Sequence, residues 1–253
     1  MKTEPGRVAV VTGGASGIGL ALAVEAARRG MQVVIADVRG DALEEASDQV
    51  AAARPDQWGA VMAVNADVSR PRDVELLAEA ASRLGPVQLV CSNAGIVPLG
   101  RAWELPADDW DRVLAVNFMA TVHLLRAFVP RLIEAGQPAQ LLVTGSMASV
   151  TAHAGISPYV AAKHALLGLC ETVNQELAQA AADVRVTLLL PGKVATGMSR
   201  ADYPDAISPG EAARIAFAAV ERRQPVAFTH ADRIPEVERR FAAIVDGGRQ
   251  GAG

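Results

Sequence analysis

The 253-residue sequence predicts a single α/β domain in which helices flank a doubly wound parallel sheet of about seven strands. Short β-branched apolar runs alternate with helical patterns along the chain. A glycine-rich turn joins the first such run to the first helix, and polar residues follow several later runs where strands would end. The strand ends of an open parallel sheet lie along one edge, where such sheets bind ligands. The alternation therefore predicts the fold class, and the polar strand ends predict the place of the site.

The first elements are a strand, a glycine turn and a helix. Arg7 to Thr12 forms a buried β-branched run, and a helical pattern extends from Leu20 to Arg29. Glycines between them permit a tight turn, and the helix N-terminus presents N–H groups and partial positive charge. This arrangement predicts a cradle for the pyrophosphate of a dinucleotide. The residues expected to form it are Gly13, Ser16, Gly17, Ile18 and Gly19.

A second strand, Gln32 to Ala36, ends on Asp37, about 20 residues beyond the glycine turn. A carboxylate at this distance can accept hydrogen bonds from the ribose hydroxyls of an adenosine. The alternative is that Asp37 caps the helix beginning near Asp41. The carboxylate would repel a 2′-phosphate, so NAD is expected and NADP is the less favoured cofactor. Arg39 is the reservation, because its side chain could reach such a phosphate.

The rest of the chain continues the alternation. Further strands are predicted near residues 60, 88, 140, 184 and 226. The predicted helices are Leu43 to Ala53, Pro71 to Leu84, Ala107 to Ala135, Pro158 to Ala181 and Pro209 to Arg222, and a second amphipathic stretch covers Pro235 to Val245.

Tyr159 and Lys163 stand four residues apart on a predicted helix and so share one face. A free tyrosine has a pKa near ~10, and an adjacent ammonium should favour the phenolate and lower that pKa. Only three of the 24 basic residues are lysines, so an arginine-rich chain keeps a compact ammonium here. The pair predicts an acid/base device. The alternative is a packed tyrosine beside a solvated lysine.

The glycine turn and this pair together resemble the short-chain dehydrogenase/reductase family, over residues 7 to about 200. The motifs that carry the resemblance are Thr12-Gly13-x-x-x-Gly17-x-Gly19 and Tyr159-x-x-x-Lys163. The resemblance implies a Rossmann-type, NAD-dependent oxidoreductase. Such an enzyme interconverts a secondary alcohol and a ketone by hydride transfer, with Tyr159 as the acid/base and Lys163 beside it.

Two further catalytic residues are implied by this resemblance. Ser146 lies thirteen residues before Tyr159 and would donate a hydrogen bond to the substrate oxygen. Asn117 falls inside a predicted helix, where asparagine is disfavoured because its side chain competes for backbone bonds. It would mark a local helix distortion that holds a water next to Lys163. The alternative for Asn117 is a surface position.

The resemblance also implies cofactor contacts at later strand ends. Asp67-Val68 would meet the adenine, and Ser92 to Gly95 resembles the family's Asn-Asn-Ala-Gly turn, with serine in place of the first asparagine. Residues 191–196 would close over the nicotinamide carboxamide. Beyond the glycine turn, the expected cofactor contacts are Asp37, Asp67, Val68, Asn93, Ala94, Gly95, Tyr159, Lys163, Pro191, Gly192, Val194 and Thr196.

Substrate contacts are expected from Val97, His153 and Met198. Val97 and Met198 are apolar where the family places its pocket wall and substrate loop, which indicates an apolar or aromatic substrate. An exposed loop histidine is the alternative for His153, and Trp103 is expected to pack. Residues 197–253 should hold a short substrate loop and a C-terminal segment that departs from the family pattern.

Composition excludes several other classes. A formal charge of −4 with scattered arginines gives no basic face for nucleic acid. We expect no membrane span, because no apolar run reaches the ~18 residues that a span needs. No signal peptide is expected either, so we expect the chain to stay in the cytoplasm. Cys91 and Cys170 are expected to be packed thiols. The histidines show no ligand spacing, so no metal site is expected.

The chain is expected to assemble into a homo-oligomer. The two long helices, Ala107 to Ala135 and Pro158 to Ala181, carry apolar residues on more of their circumference than one sheet contact could bury. A homodimer through these helices is expected, with a homotetramer as the alternative.

Two alternative functions remain. An NADPH-dependent carbonyl or 3-oxoacyl-thioester reductase is the near alternative, and a non-catalytic dinucleotide-binding regulator is the distant one.

Overall fold

The computed structural model describes residues 1–55, 59–197 and 205–250. Seven strands are described in this part of the chain: β1 Val8–Thr12, β2 Gln32–Asp37, β3 Val61–Asn65, β4 Val87–Ser92, β5 Ala139–Thr144, β6 Val184–Leu190 and β7 Val226–Phe228. They are parallel and form one sheet in the order β3-β2-β1-β4-β5-β6-β7, which confirms the predicted doubly wound sheet. The chain reverses its direction across the sheet between β1 and β4, where such folds bind ligands.

Helices cover both faces of this sheet. Two of them, Pro71–Leu84 and Pro209–Arg222, have the predicted bounds. Each begins with a proline, whose missing N–H costs nothing in a first helical turn. The described helices are α1 Gly17–Arg28, α2 Gly40–Ala52, α3 Pro71–Leu84, α4 Ala107–Leu114, α5 Ala120–Ala135, α6 Ser157–Gln179, α7 Pro209–Arg222 and α8 Ile234–Gln250.

The sheet separates two apolar cores. Phe128 of α5 and Leu166 of α6 pack on one face. Leu22 of α1 and Phe217 of α7 pack on the other. Full burial of a side chain of this size stabilises a fold by roughly 1.5 to 3 kcal/mol. Burial on both faces fixes the strands, and so fixes the turns that leave their carboxyl ends.

The predicted helix from Ala107 to Ala135 is interrupted. A π-helical turn, Ala115–Met119, separates α4 from α5 and contains Asn117. Such turns insert an extra residue into the helical ladder and occur at functional sites. The predicted distortion at Asn117 is therefore confirmed.

This composite helix also bears on the expectation that no segment could span a membrane. By length and composition it could cross one, with a mean hydropathy of 1.5 over its most apolar window, so the expectation was wrong in that respect. The segment is not one uninterrupted apolar run, because Asn117, His123 and Arg126 lie within it. In the fold, however, α5 packs on β4 and α3 as a core helix does.

The C-terminal segment follows β7. The amphipathic stretch predicted at 235–245 belongs to a longer helix, α8. Val237 packs on the core, whereas Phe241, Ile244 and Val245 are exposed. The assignment of residues 197–253 to a substrate loop and a variant C-terminal segment stays a prediction.

Candidate active site

The glycine turn after β1 leaves no room for side chains. Gly13 and Gly17 have φ of +64° and +56°, in the left-handed region that favours glycine. A Cβ on Gly19 would lie 2.0 Å from the carbonyl oxygen of Gly13, and one on Gly13 would lie 2.9 Å from Cα of Ala94. The turn therefore exposes bare backbone at the N-terminus of α1, where Ser16 is the N-cap residue and Ile18 is partly buried. These residues fit the pyrophosphate of a dinucleotide.

Asn93 joins this turn to the neighbouring strand ends. Its backbone N–H donates to Oγ1 of Thr12 (3.0 Å), and its side-chain amide donates to the carbonyl oxygen of Thr12 (3.2 Å). The Thr144 hydroxyl at the end of β5 donates to Oδ1 of Asn93 (3.0 Å). The ends of β1, β4 and β5 are thus held together by one side chain.

Asp37 lies at the end of β2, beside the glycine turn. Its carboxylate accepts from the backbone N–H groups of Ala15 (3.2 Å) and Arg39 (3.1 Å). Arg39 is the N-cap residue of α2, and no side-chain hydrogen bond caps this helix, so the structure does not support the capping alternative for Asp37. The Arg39 guanidinium also donates to Asp37 (3.3 Å) and to Oγ of Ser16 (2.8 Å). A cation therefore lies beside the carboxylate expected to select the cofactor.

Asp67 and Val68 follow β3. The Asp67 carboxylate accepts from the hydroxyl (2.6 Å) and the backbone N–H (3.0 Å) of Ser69. The Ser69 hydroxyl holds the pKa of Asp67 below its ordinary value. Val68 is buried, and its carbonyl oxygen lies 3.1 Å from Nδ1 of His123 on α5. This turn is therefore shaped by its own hydrogen bonds and by α5.

Asn117 and Lys163 both lie close to the turn after β4. Asn117 is buried, which excludes the surface alternative, and its amide pairs with Ile96 by donating to the carbonyl oxygen (2.8 Å) and accepting from the N–H (2.8 Å). Lys163 is also buried, and its Nζ donates to the carbonyl oxygen of Thr144 (2.7 Å). A Cβ placed on Gly95 would lie 3.5 Å from Oδ1 of Asn117 and 3.9 Å from Nζ of Lys163. The two side chains thus approach the same glycine.

Tyr159 lies between Ser146 and Lys163. Burial raises the pKa of Tyr159, and a hydrogen bond from the Ser146 side chain opposes that rise. The Nζ of Lys163 lies over the Tyr159 ring, 5.6 Å from its centroid. The expectation of a lowered Tyr159 pKa was therefore wrong, because loss of hydration outweighs the other effects. Burial also lowers the pKa of Lys163 to about 8.

The turn after β6 completes the site. Pro191 is buried, and its carbonyl oxygen accepts from the N–H of Met147, next to Ser146 (2.9 Å). Val194 is buried and bridges to Ile207. A Cβ on Gly17 would lie 3.2 Å from the Thr196 methyl group, so this segment reaches the glycine turn.

Comparison with known proteins agrees with this geometry. The profile of the short-chain dehydrogenase family matches residues 7–206. The chain belongs to the short-chain dehydrogenase family. It is therefore an oxidoreductase of this family.

Individual family members show the extent of the similarity. The chain is 42% identical over 234 residues to 1-deoxy-11-beta-hydroxypentalenate dehydrogenase of Streptomyces avermitilis, covering 88% of this chain and 84% of the relative. It is 32% identical over 201 residues to D-beta-hydroxybutyrate dehydrogenase of Rhizobium meliloti, covering 79% and 76%. A short-chain dehydrogenase/reductase from Burkholderia phymatum, solved in complex with NAD, superposes with a TM-score of 0.89 at 31% identity and 96% coverage of both chains.

Two of the three residues expected to contact the substrate, Val97 and His153, lie in the described part of the chain. Val97 is partly buried beside the Asn117–Ile96 pair, and Met198 lies outside the described residues. His153 is exposed, with Nε2 2.9 Å from the Thr151 hydroxyl, and lines an open cleft of about 520 Å³ whose lining includes neither Ser146 nor Tyr159. Its substrate role stays a prediction. Trp103 is 80% exposed, so the expectation that it packs was wrong.

Cys91 and Cys170 are buried free thiols, and burial raises the pKa of Cys91 and raises that of Cys170 to about 12. The thiols are therefore protonated at neutral pH. In the described ranges, no three His, Cys, Asp or Glu side chains are grouped to hold a metal ion.

Sequence reasoning missed several residues that shape the site. Thr144 holds both Asn93 and Lys163, and the backbone of Ile96 holds Asn117. A polar residue at the end of β5, two before Ser146, was the available signal for Thr144. Thr229, which accepts from the N–H of Gly192, had no comparable signal because it is 37 residues away in sequence.

Proposed function

We propose that the chain is an NAD-dependent dehydrogenase that interconverts a secondary alcohol and a ketone on an apolar or aromatic substrate. The observation that carries the proposal is the approach of Asn117 and Lys163 to Gly95, next to Tyr159 and the bare glycine turn. A dinucleotide bound in the turn would supply the hydride acceptor or donor. We expect the dinucleotide to contact the glycine turn and the other residues at the strand ends that the sequence predicts as cofactor contacts.

The side chains have distinct proposed tasks. Tyr159 exchanges a proton with the substrate oxygen, and Ser146 donates a hydrogen bond to the same oxygen as charge develops there. Lys163 holds positive charge next to the Tyr159 ring. Asn117 holds the turn at Ile96 and so fixes Gly95 above Lys163. Each task uses a group that the fold already orients.

A screen of apolar secondary alcohols with NAD, and of ketones with NADH, tests the proposal through NADH absorbance. The names of the Streptomyces avermitilis and Rhizobium meliloti relatives support hydroxylated small molecules as the first compounds. Turnover of a hydroxylated alicyclic or aromatic compound would support the proposal. NADH binding without turnover of any compound would favour the non-catalytic regulator.

Cofactor choice is the first specific prediction. We expect NAD to be used with a higher kcat/KM than NADP, because the Asp37 carboxylate would repel the ~1.5 to 2 negative charges of a 2′-phosphate. The NAD complex of the Burkholderia phymatum structure supports this choice. The Arg39 guanidinium acts in the opposite direction. It contacts Asp37 and Ser16 and could pair with a 2′-phosphate, which would help NADP to bind.

Two variants separate these effects in steady-state kinetics. Asp37→Ala should lose the preference for NAD, whereas Arg39→Ala should keep it and weaken the use of NADP further. Equal kcat/KM for both cofactors in the unaltered protein would contradict the prediction. A larger loss of NADP use in Asp37→Ala than in Arg39→Ala would also contradict it.

A homodimer through α5 and α6 is the second prediction. Apolar side chains remain exposed along the composite helix that contains α5, including Met119 and Ile133, and Ala165 and Gly168 of α6 are exposed as well. Burial of these apolar surfaces against a second copy would stabilise the helix that carries Tyr159 and Lys163. Light scattering at micromolar concentration should report twice the chain mass.

Gly168 offers a sharp test of this interface. A Cβ at Gly168 meets no atom within 4 Å, so a larger side chain fits within one copy. Gly168→Arg should therefore give a folded monomer, while Glu44→Arg on the remote helix α2 should stay dimeric. A monomeric and fully active unaltered protein would exclude the dimer.

A further inference from the structure

Two residues after β7 contact the turn that follows β6. The hydroxyl oxygen of Thr229 accepts from the N–H of Gly192 (2.9 Å), and the N–H of Thr229 donates to the carbonyl oxygen of Leu190 (3.3 Å). A Cβ on Gly192 would lie 2.5 Å from Nδ1 of His230 and 2.8 Å from its Cγ. Thr229 and His230 therefore both contact the turn, one by a hydrogen bond and one by close packing.

The two side chains also bond to each other. The Thr229 hydroxyl lies 2.8 Å from Nδ1 of His230. A hydroxyl has one proton and two lone pairs, so it can accept from Gly192 and still donate to the imidazole. The Nε2 of His230 is buried and has no hydrogen-bond partner in the described part of the chain. Burying a polar atom without a partner is unfavourable. The ring is therefore held in place by its other contacts, the hydrogen bond to Thr229 and the close packing against Gly192.

The supported turn leads directly into the segment that reaches the glycine turn. Lys193 pairs with Asp205 (2.9 Å), and the N–H of Ala195 donates to the carbonyl oxygen of Ile207 (3.0 Å). The methyl group of Thr196 then approaches Gly17. Residues 192–196 are therefore held near Gly192 by Thr229 and His230, further along by the contacts of Lys193 and Ala195, and they end beside the glycine turn.

We infer that Thr229 and His230 are positioning residues for cofactor binding, because they fix the turn at Gly192 from which residues 192–196 extend over the dinucleotide. This inference rests on the proposed function. It assigns a role to the C-terminal segment, where the chain departs from the family pattern. Neither residue is expected to touch the substrate or to exchange a proton with it.

Thr229→Val tests the hydrogen bond. The change keeps the shape of the side chain and leaves the N–H of Gly192 without its acceptor, so NADH binding should weaken by about 10-fold. Thr229→Ser retains the hydroxyl and should bind NADH as the unaltered protein does. Binding is measured by NADH fluorescence titration, and thermal unfolding shows whether each variant is folded.

A rescue pair tests the packing independently. In Gly192→Ala the new methyl group would collide with the imidazole, so NADH affinity should fall sharply. In Gly192→Ala combined with His230→Ala the methyl group has space, and affinity should recover by at least about 10-fold relative to Gly192→Ala. A general loss of stability would not produce this recovery.

The outcomes separate the inference from the function on which it rests. Failure of the folded, unaltered protein to bind NADH or NADPH would overturn the proposed function. Normal NADH affinity in a folded Thr229→Val variant would overturn the hydrogen-bonding role. No recovery in the double variant would overturn the packing role, even if Thr229→Val failed to fold.

Discussion

Replacing Tyr159 by phenylalanine should lower turnover by about 10²- to 10⁴-fold and leave NADH binding intact. The change removes the transferable proton and keeps the ring over which Nζ of Lys163 lies. Because burial raises the pKa of Tyr159, the phenol is protonated at neutral pH and can act as an acid toward a ketone. Steady-state kinetics and NADH titration measure the two properties separately.

The pH profile provides a control for this role. Alcohol oxidation requires the phenolate, so its rate should rise as the pH increases toward the raised Tyr159 pKa. Ketone reduction requires the phenol and should decline over the same range. A folded Tyr159→Phe variant with normal turnover, or with an unaltered pH profile, would show that another group exchanges the proton.

Replacing Gly19 by alanine should abolish measurable NADH binding at concentrations that saturate the unaltered protein. The new Cβ would lie 2.0 Å from the carbonyl oxygen of Gly13 and 2.6 Å from Nδ2 of Asn93, so the turn must move. A displacement of about 1 Å in a positioning element can cost on the order of 10²-fold. Fluorescence titration with NADH measures the loss.

Gly248→Ala is the matched control for this change. Gly248 also lies in a helix, but a Cβ there meets nothing within 4 Å. Alanine is the better helix former by up to about 1 kcal/mol, so this variant should be at least as stable and should bind NADH normally. Equal NADH affinity in Gly19→Ala and Gly248→Ala would refute the steric argument for the glycine turn.

The fold was predictable because its signals are local. The β-branched run before Gly13 and the proline at the start of α3 each act within a few residues. Asn117 was also informative, since asparagine in an apolar helical pattern marked the π-helical turn. In each case the residue type conflicts with, or limits, the backbone conformations available nearby.

The remaining site features depend on contacts between distant segments. The direction of the Tyr159 pKa shift follows from burial in the assembled domain, which spacing from Lys163 does not reveal. The carbonyl of Thr144 receives Lys163 because the end of β5 lies next to α6. The exposure of Trp103 likewise depends on which surfaces surround its loop. Such properties follow from tertiary packing.

The buried ammonium of Lys163 makes the site a source of pH-dependent instability. Its pKa is about 8 in the fold and 10.5 in an unfolded chain, so the unfolded chain binds more protons between these values. Its contribution to stability therefore improves as the pH rises through this window. Below pH 8 the burial opposes folding by about 3 to 4 kcal/mol, from the difference between the two pKa values and roughly 1.4 kcal/mol per pKa unit. Other contacts in the fold must therefore supply the free energy that keeps this charge buried away from water.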